Sequence, residues 1–196
     1  MLECGRKGPD MLERARSVVR WTWLPWVLIG VGIVLRVAHY AANRSLWLDE
    51  SALALNIVNR SWEQLWLPLD YNQGAPIGFL LIEKLAVQLF GNNEYALRLF
   101  PLLSGLAALV LFYAIAKRSV RASTVLIGLG LVVVSSQLIY YSAEVKQYSS
   151  DAAIGLLLIG MALYAEKKPA SIWRGILFGL NGAVGMWFSY SAVFGL

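Results

Sequence analysis

The chain has 196 residues, 58% of them hydrophobic and only 15% charged, and its mean hydropathy of +0.59 is too high for a water-soluble domain of this size. The net charge of +5 does not mark a nucleic-acid binder, because the basic residues fall in short clusters between apolar runs instead of along one face. A single cysteine, Cys4, and a single histidine, His39, exclude an internal disulfide and any paired-histidine metal motif.

Residues 1–20 form a polar, basic leader, read as a cytoplasmic N-terminal segment. The first apolar run, 21–40, reads as an uncleaved membrane helix, since Arg36 and His39 stand where small residues precede a signal cleavage site. Four further runs are apolar enough to cross a hydrocarbon core: 95–116, 122–141, 149–165, which is the shortest, and 173–196. The intervening stretch 41–94 is too long for a bare connection and should carry its own structure. Within it, Leu55, Val58, Trp62, Leu65 and Trp66 recur at helical spacing, which predicts an amphipathic surface helix over 51–66. A Pro/Gly-punctuated turn at 68–76 then leads to a second surface helix over 76–90. That segment is too short to span and holds Glu83 and Lys84 in its interior.

Lys and Arg set the orientation. With 76–90 on the surface, the clusters Lys117-Arg118-Arg121 and Lys167-Lys168-Arg174 join the basic leader on the cytoplasmic side. Most carboxylates, among them Asp49, Glu50, Glu144 and Asp151, then collect on the exocytoplasmic side. Were 76–90 to span, both basic clusters would move outside.

Two stretches on that side carry chemistry. The adjacent acids of Leu46-Trp-Leu-Asp-Glu50 follow the first span directly. Charge beside hydrocarbon is costly and points to a site, here removal of a proton at the interface; equally, an acidic pair at a helix start can serve as a cap. The stretch Tyr140-Tyr-Ser-Ala-Glu-Val-Lys-Gln-Tyr-Ser-Ser-Asp151 packs two acids, a lysine and three tyrosines into a short loop. It either holds these side chains in fixed positions beside the membrane or is a solvated hairpin with Glu144 and Lys146 as a weak surface pair.

Taken in order, Ser45-Leu-Trp-Leu-Asp-Glu50, Phe90-Gly-Asn-Asn-Glu-Tyr-Ala-Leu-Arg-Leu-Phe-Pro101 and Tyr140-Tyr-Ser-Ala-Glu-Val-Lys-Gln-Tyr148 resemble motifs of the polytopic GT-C glycosyltransferases. The likeness is to the protein O-mannosyltransferase and aminoarabinose-transferase type, glycosyltransferase family 39 and its bacterial relatives. It implies an all-α integral membrane protein, a GT-C-type helical module with amphipathic juxtamembrane helices in the first exocytoplasmic loop. It implies transfer of a sugar from a polyprenyl-phosphate donor to a lipid, glycan or protein acceptor, at the exocytoplasmic face of a membrane such as the bacterial inner membrane. By the same resemblance Asp49 is the catalytic base and Glu50 its acidic neighbour. Glu144, Lys146 and Tyr148 line the substrate cavity, and Arg98 or Lys146 would stabilise the departing phosphate. Relatives often carry a His-Pro-Pro or acid-Lys-Pro-Pro stretch where this chain has Gln73-Gly-Ala-Pro-Ile77, so metal dependence is not carried over: a divalent metal is chemically open but unsupported. The expected partners are the lipid donor, the acceptor and membrane lipids, with no nucleic acid. Because the chain stops inside an apolar run, it reads as an N-terminal portion of a longer catalytic module. A membrane transporter or scaffold without chemistry is the rival, and it should bury charges at the bilayer midplane.

Overall fold

The computed structural model describes residues 23–166 and 172–190. The leader 1–20, Lys167 and Lys168, the start of the first expected span and the end of the last lie outside the described residues. Every long element among the described residues is helical, in the order α1 (Leu24–Ala41), α2 (Leu48–Asn59), a short 3-10 turn (Gln64–Trp66), α3 (Ile77–Phe90), α4 (Glu94–Ser119), α5 (Ala122–Val134), α6 (Ser136–Tyr141), α7 (Tyr148–Glu166) and α8 (Ile172–Phe188). The protein is thus all-α. Leu24–Ala41, Glu94–Ser119 and Tyr148–Ala165, with 18, 26 and 18 residues, are long and apolar enough to cross a membrane.

The run 122–141 is continuous in hydropathy but not in backbone. At Ser135 the chain turns to ψ 112°, and the Ser135 hydroxyl accepts from the Leu138 N–H, which ends α5 after 13 residues and caps α6. A serine at this point offers the backbone a local partner that competes with the helical ladder. At about 1.5 Å per residue α5 alone is only about 20 Å long.

The surface helix expected over 51–66 is also divided. It starts earlier, at Leu48, because Glu50 reaches back to accept from the Trp47 N–H at 3.0 Å. It stops at Asn59, where Ser61 and Gln64 exchange side-chain bonds with each other's backbone N–H groups and open a new turn. Asn56 adds a tie to the following loop, accepting from the Asp70 N–H at 2.9 Å.

Two cores hold the chain together. Ile29 of α1, Leu109 of α4, and Leu129 and Val133 of α5 form one between the long helices. The other lies under the connection 42–93 and unites Leu53 and Ile57 of α2, Leu65, Phe79 and Leu80 of α3, Leu97 of α4 and Val145 of the α6–α7 loop. Burial of these side chains anchors the short helices where propensity alone would leave them marginal. Lys84 contributes by donating to the Val58 carbonyl at 3.0 Å, fastening α3 to the end of α2. Gly91, at φ 89°, turns the chain from α3 into α4, and Asn93 caps α4 by accepting from the Ala96 N–H.

Tyr40 and Tyr95 exchange hydroxyl bonds with the Tyr95 and Ala41 carbonyls at 2.9 and 3.3 Å. The end of α1 and the start of α4 are therefore side by side, and residues 42–93 leave and return to the same end of the bundle. The α6–α7 loop reaches that end as well. Gly105 of α4 lets it approach: a Cβ there would stand 2.7 Å from that of Ser142.

Candidate active site

The adjacent acids Asp49 and Glu50 occupy the first turn of α2, yet successive helical positions point about 100° apart, and the two fall into opposite surroundings. Glu50 is fully buried. Its Oε1 accepts from the Val145 N–H at 3.0 Å and from Arg98 Nη2 at 3.4 Å; its Oε2 accepts from the Trp47 N–H at 3.0 Å and lies 3.5 Å from Arg44 Nη2. Arg98, itself buried, donates through Nη1 to the Arg44 carbonyl at 2.6 Å. Arg44 in turn donates to the Tyr140 hydroxyl and lies over that ring at 4.1 Å. One carboxylate thereby joins the start of α2, α4 and the α6–α7 loop.

Asp49 faces outward, its side chain 61% exposed. Its Oδ2 is 2.8 Å from Lys146 Nζ, and its Oδ1 accepts from Gln73 Nε2 at 2.9 Å. Gln73 Oε1 accepts from the same Lys146 ammonium at 2.8 Å, so Asp49, Gln73 and Lys146 form a closed ring. The Lys146 bond, then the Gln73 bond, hold the Asp49 carboxyl below its ordinary range and keep it ionised. Glu144 shifts the other way: half-burial, then the negative charge of Glu50, raise it. Its Oε2 is enclosed without a hydrogen-bond partner. Such opposed shifts in one small region are a mark of functional carboxylates.

Gln73 also forms part of the wall of an open groove of about 550 Å³ whose lining is polar as well as apolar. The other walls include Trp66 and Leu67, Ile77 and Leu80 of α3, and Trp187 of α8. Trp66 and Trp187 meet edge to face across 5.6 Å, and the Tyr190 hydroxyl donates to the Ala75 carbonyl at 2.9 Å. A charged cluster thus adjoins an open groove with aromatic and aliphatic side chains in its walls.

Of the residues singled out from sequence, the structure brings Asp49, Lys146 and Glu144 to one side of the site and sets Glu50 and Arg98 beneath it. Tyr148 is turned toward Tyr141, with ring centroids 4.7 Å apart, and lines a separate cavity of about 150 Å³ that also touches Arg36. Gln73 was legible only as a departure from a familiar motif; nothing local signals that it bridges two charges. Arg44 sits beside the Ser45–Glu50 motif, and no local pattern marks it as a partner of Glu50. Among the described residues no three His, Cys, Asp or Glu side chains gather as a metal site.

The family model described as dolichyl-phosphate-mannose-protein mannosyltransferase matches residues 74–195, which takes in α3, α4 and the Glu144–Tyr148 loop but not Asp49. No curated protein and no solved structure matches the chain. A match across more than half of the chain, together with three helices among the described residues that are long and apolar enough to cross a membrane, identifies an integral membrane protein that belongs to the dolichyl-phosphate-mannose-protein mannosyltransferase family, glycosyltransferases that draw on a lipid-linked sugar.

Proposed function

We propose that the protein transfers a sugar from a polyprenyl-phosphate donor to an acceptor hydroxyl, with Asp49 as general base, at the exocytoplasmic face of its membrane. The observation that carries this reading is the exposed Asp49 carboxylate, paired with the almost buried Lys146 and bonded to Gln73, which also lines the open groove. A polyprenyl phosphate has the same two parts: an apolar chain suited to the groove and a phosphate suited to Lys146. The acceptor hydroxyl loses its proton to Asp49 as its oxygen attacks the anomeric carbon. The bond from that carbon to the phosphate oxygen breaks, and the phosphate leaves with its charge beside Lys146. Glu50 and Arg98, buried and spent on each other, frame the site in this reading and do not touch substrate. The exocytoplasmic placement draws support from the paired Tyr40 and Tyr95, which return residues 42–93 to the end from which they left, as a surface position for 76–90 requires.

Family membership favours this reading over a transporter or inert scaffold. One observation favours a different base: Glu144, with its raised carboxyl and unpartnered oxygen, has proton affinity closer to neutral pH than Asp49 has. The test is Asp49→Asn in membranes supplied with dolichyl-phosphate mannose, a donor taken from the family description. Turnover should fall by about 100-fold or more while donor binding stays. Lys146→Ala should weaken donor binding as well, because the cation faces phosphate before and during transfer. Parental turnover in Asp49→Asn would move the role to Glu144. Absence of both donor binding and turnover in the parent itself would leave the scaffold reading standing.

A further inference from the structure

Gln73 is the one uncharged member of the Asp49–Gln73–Lys146 ring, and its amide is oriented so that both ends are used. The NH2 group donates to the carboxylate at 2.9 Å and the carbonyl accepts from the ammonium at 2.8 Å. We propose that Gln73 is a positioning residue that holds the proton-accepting carboxylate and the phosphate-facing ammonium as one rigid pair. This rests on the reading of Asp49 and Lys146 given above and adds a role that the family match does not assign.

The chemistry of the alternatives makes the choice of residue informative. Asp49 offers only acceptors and Lys146 only donors, so a side chain between them must donate on one side and accept on the other. Leucine can do neither. Glutamate would accept from Lys146 but oppose Asp49, whereas neutral histidine can donate with one ring nitrogen and accept with the other. Asp49 stands in the first turn of α2 and Lys146 in the α6–α7 loop, 97 positions apart in the chain. The pair is open to water on one side only, Asp49 exposed and Lys146 almost buried, and the exposed carboxylate must give up rotamer freedom to stay in register with the ammonium. A third group that fixes both ends confines the carboxylate to the orientation a proton transfer needs. Because Gln73 also lines the open groove, the base, the cation and the groove share one side chain.

The groups that face Asp49 are Lys146 and Gln73 by direct contact, with Glu144 and the Tyr148 phenol of α7 within electrostatic reach and Glu50 next to it on α2. Removing the Gln73 bond takes away the second of the two contacts that keep the carboxyl ionised. Its titration should therefore move to higher pH.

The experiment reads Asp49 directly, by carbodiimide labelling of carboxyl groups across pH 3 to 8 followed by mass spectrometry, in the detergent-purified protein. It compares parent, Gln73→Leu, Gln73→Glu and Gln73→His. The half-labelling pH of Asp49 should rise in Gln73→Leu, rise further in Gln73→Glu, and return toward the parent in Gln73→His. Turnover with dolichyl-phosphate mannose should follow the same order, with the acid limb of its pH profile displaced upward in the first two variants. Gln73→His reports on the same site if Gln73→Leu fails to fold. An Asp49 labelling curve unchanged in Gln73→Leu and Gln73→Glu would overturn the positioning role, whatever the turnover. A shifted curve together with parental turnover in Asp49→Asn would instead retain Gln73 as the holder of the ion pair and reject Asp49 as the base.

Discussion

Replacing Glu50 by glutamine tests whether one buried carboxylate ties the two loops of the site together. The substitution keeps the shape of the side chain but removes its charge and turns one acceptor into a donor. The Trp47 and Val145 N–H groups, both at 3.0 Å, and the Arg98 guanidinium at 3.4 Å then compete for a single carbonyl oxygen. Arg98 is almost completely enclosed, so its charge loses its counterion without gaining water. Breaking a buried pair by removing one partner costs about 3–5 kcal/mol. An orphaned backbone N–H adds about 1–3 kcal/mol, though the terms overlap and the sum is an upper bound. For a chain of this size about 1 kcal/mol corresponds to roughly 2–4 °C in Tm, so Glu50→Gln should melt about 6–20 °C below the parent in detergent, followed by tryptophan fluorescence. Hydrogen exchange should quicken at Val145 and Lys146, since the α6–α7 loop loses its anchor. The neighbouring Asp49→Asn disturbs a pair whose carboxylate is open to water, and Lys146 keeps its bond to Gln73, so its Tm should fall by less than that of Glu50→Gln. Equal melting of the two variants, or unchanged exchange at Val145, would refute the assignment of Glu50 as the tie.

Glu83 is fully buried in α3, both carboxylate oxygens lack a hydrogen-bond partner, and burial raises its pKa well above the ordinary value. The folded state therefore holds a proton that the unfolded chain releases from about pH 4.5 upward, so this group favours folding at low pH and loses that contribution as pH rises through its folded pKa. Glu83→Gln should shrink the difference in Tm between pH 5 and pH 8; an undiminished difference would mean that Glu83 is paired and charged. Topology is open to direct labelling. In a background with Cys4→Ser, cysteines placed at Asn72 and Gln147 should react with an impermeant thiol reagent from outside intact cells, and one at Lys117 should not. Outside labelling at 117 would place α3 across the membrane.

The membrane character, the positions of the long helices and the existence of structure between the first two of them were legible in the sequence because they depend on local quantities. About 20 consecutive apolar residues announce a span whatever they pack against, and the helical spacing of Leu55 and Val58 announces an amphipathic helix. The motif around Asp49 and the loop around Lys146 were visible as chemistry without a site. Where a single side chain overrides its neighbours, sequence pattern fell short: Ser135 interrupts a hydrophobic run that reads as one helix, and Ser61 with Gln64 closes α2 early. Only tertiary structure could divide Asp49 from Glu50. The two differ by one methylene and one position, and what separates them is that Val145 and Arg98 arrive from distant parts of the chain to surround Glu50 and leave Asp49 open. The same holds for Gln73, whose two partners lie 24 and 73 positions away, because an amide announces no partner until folding places a carboxylate at one end of it and an ammonium at the other.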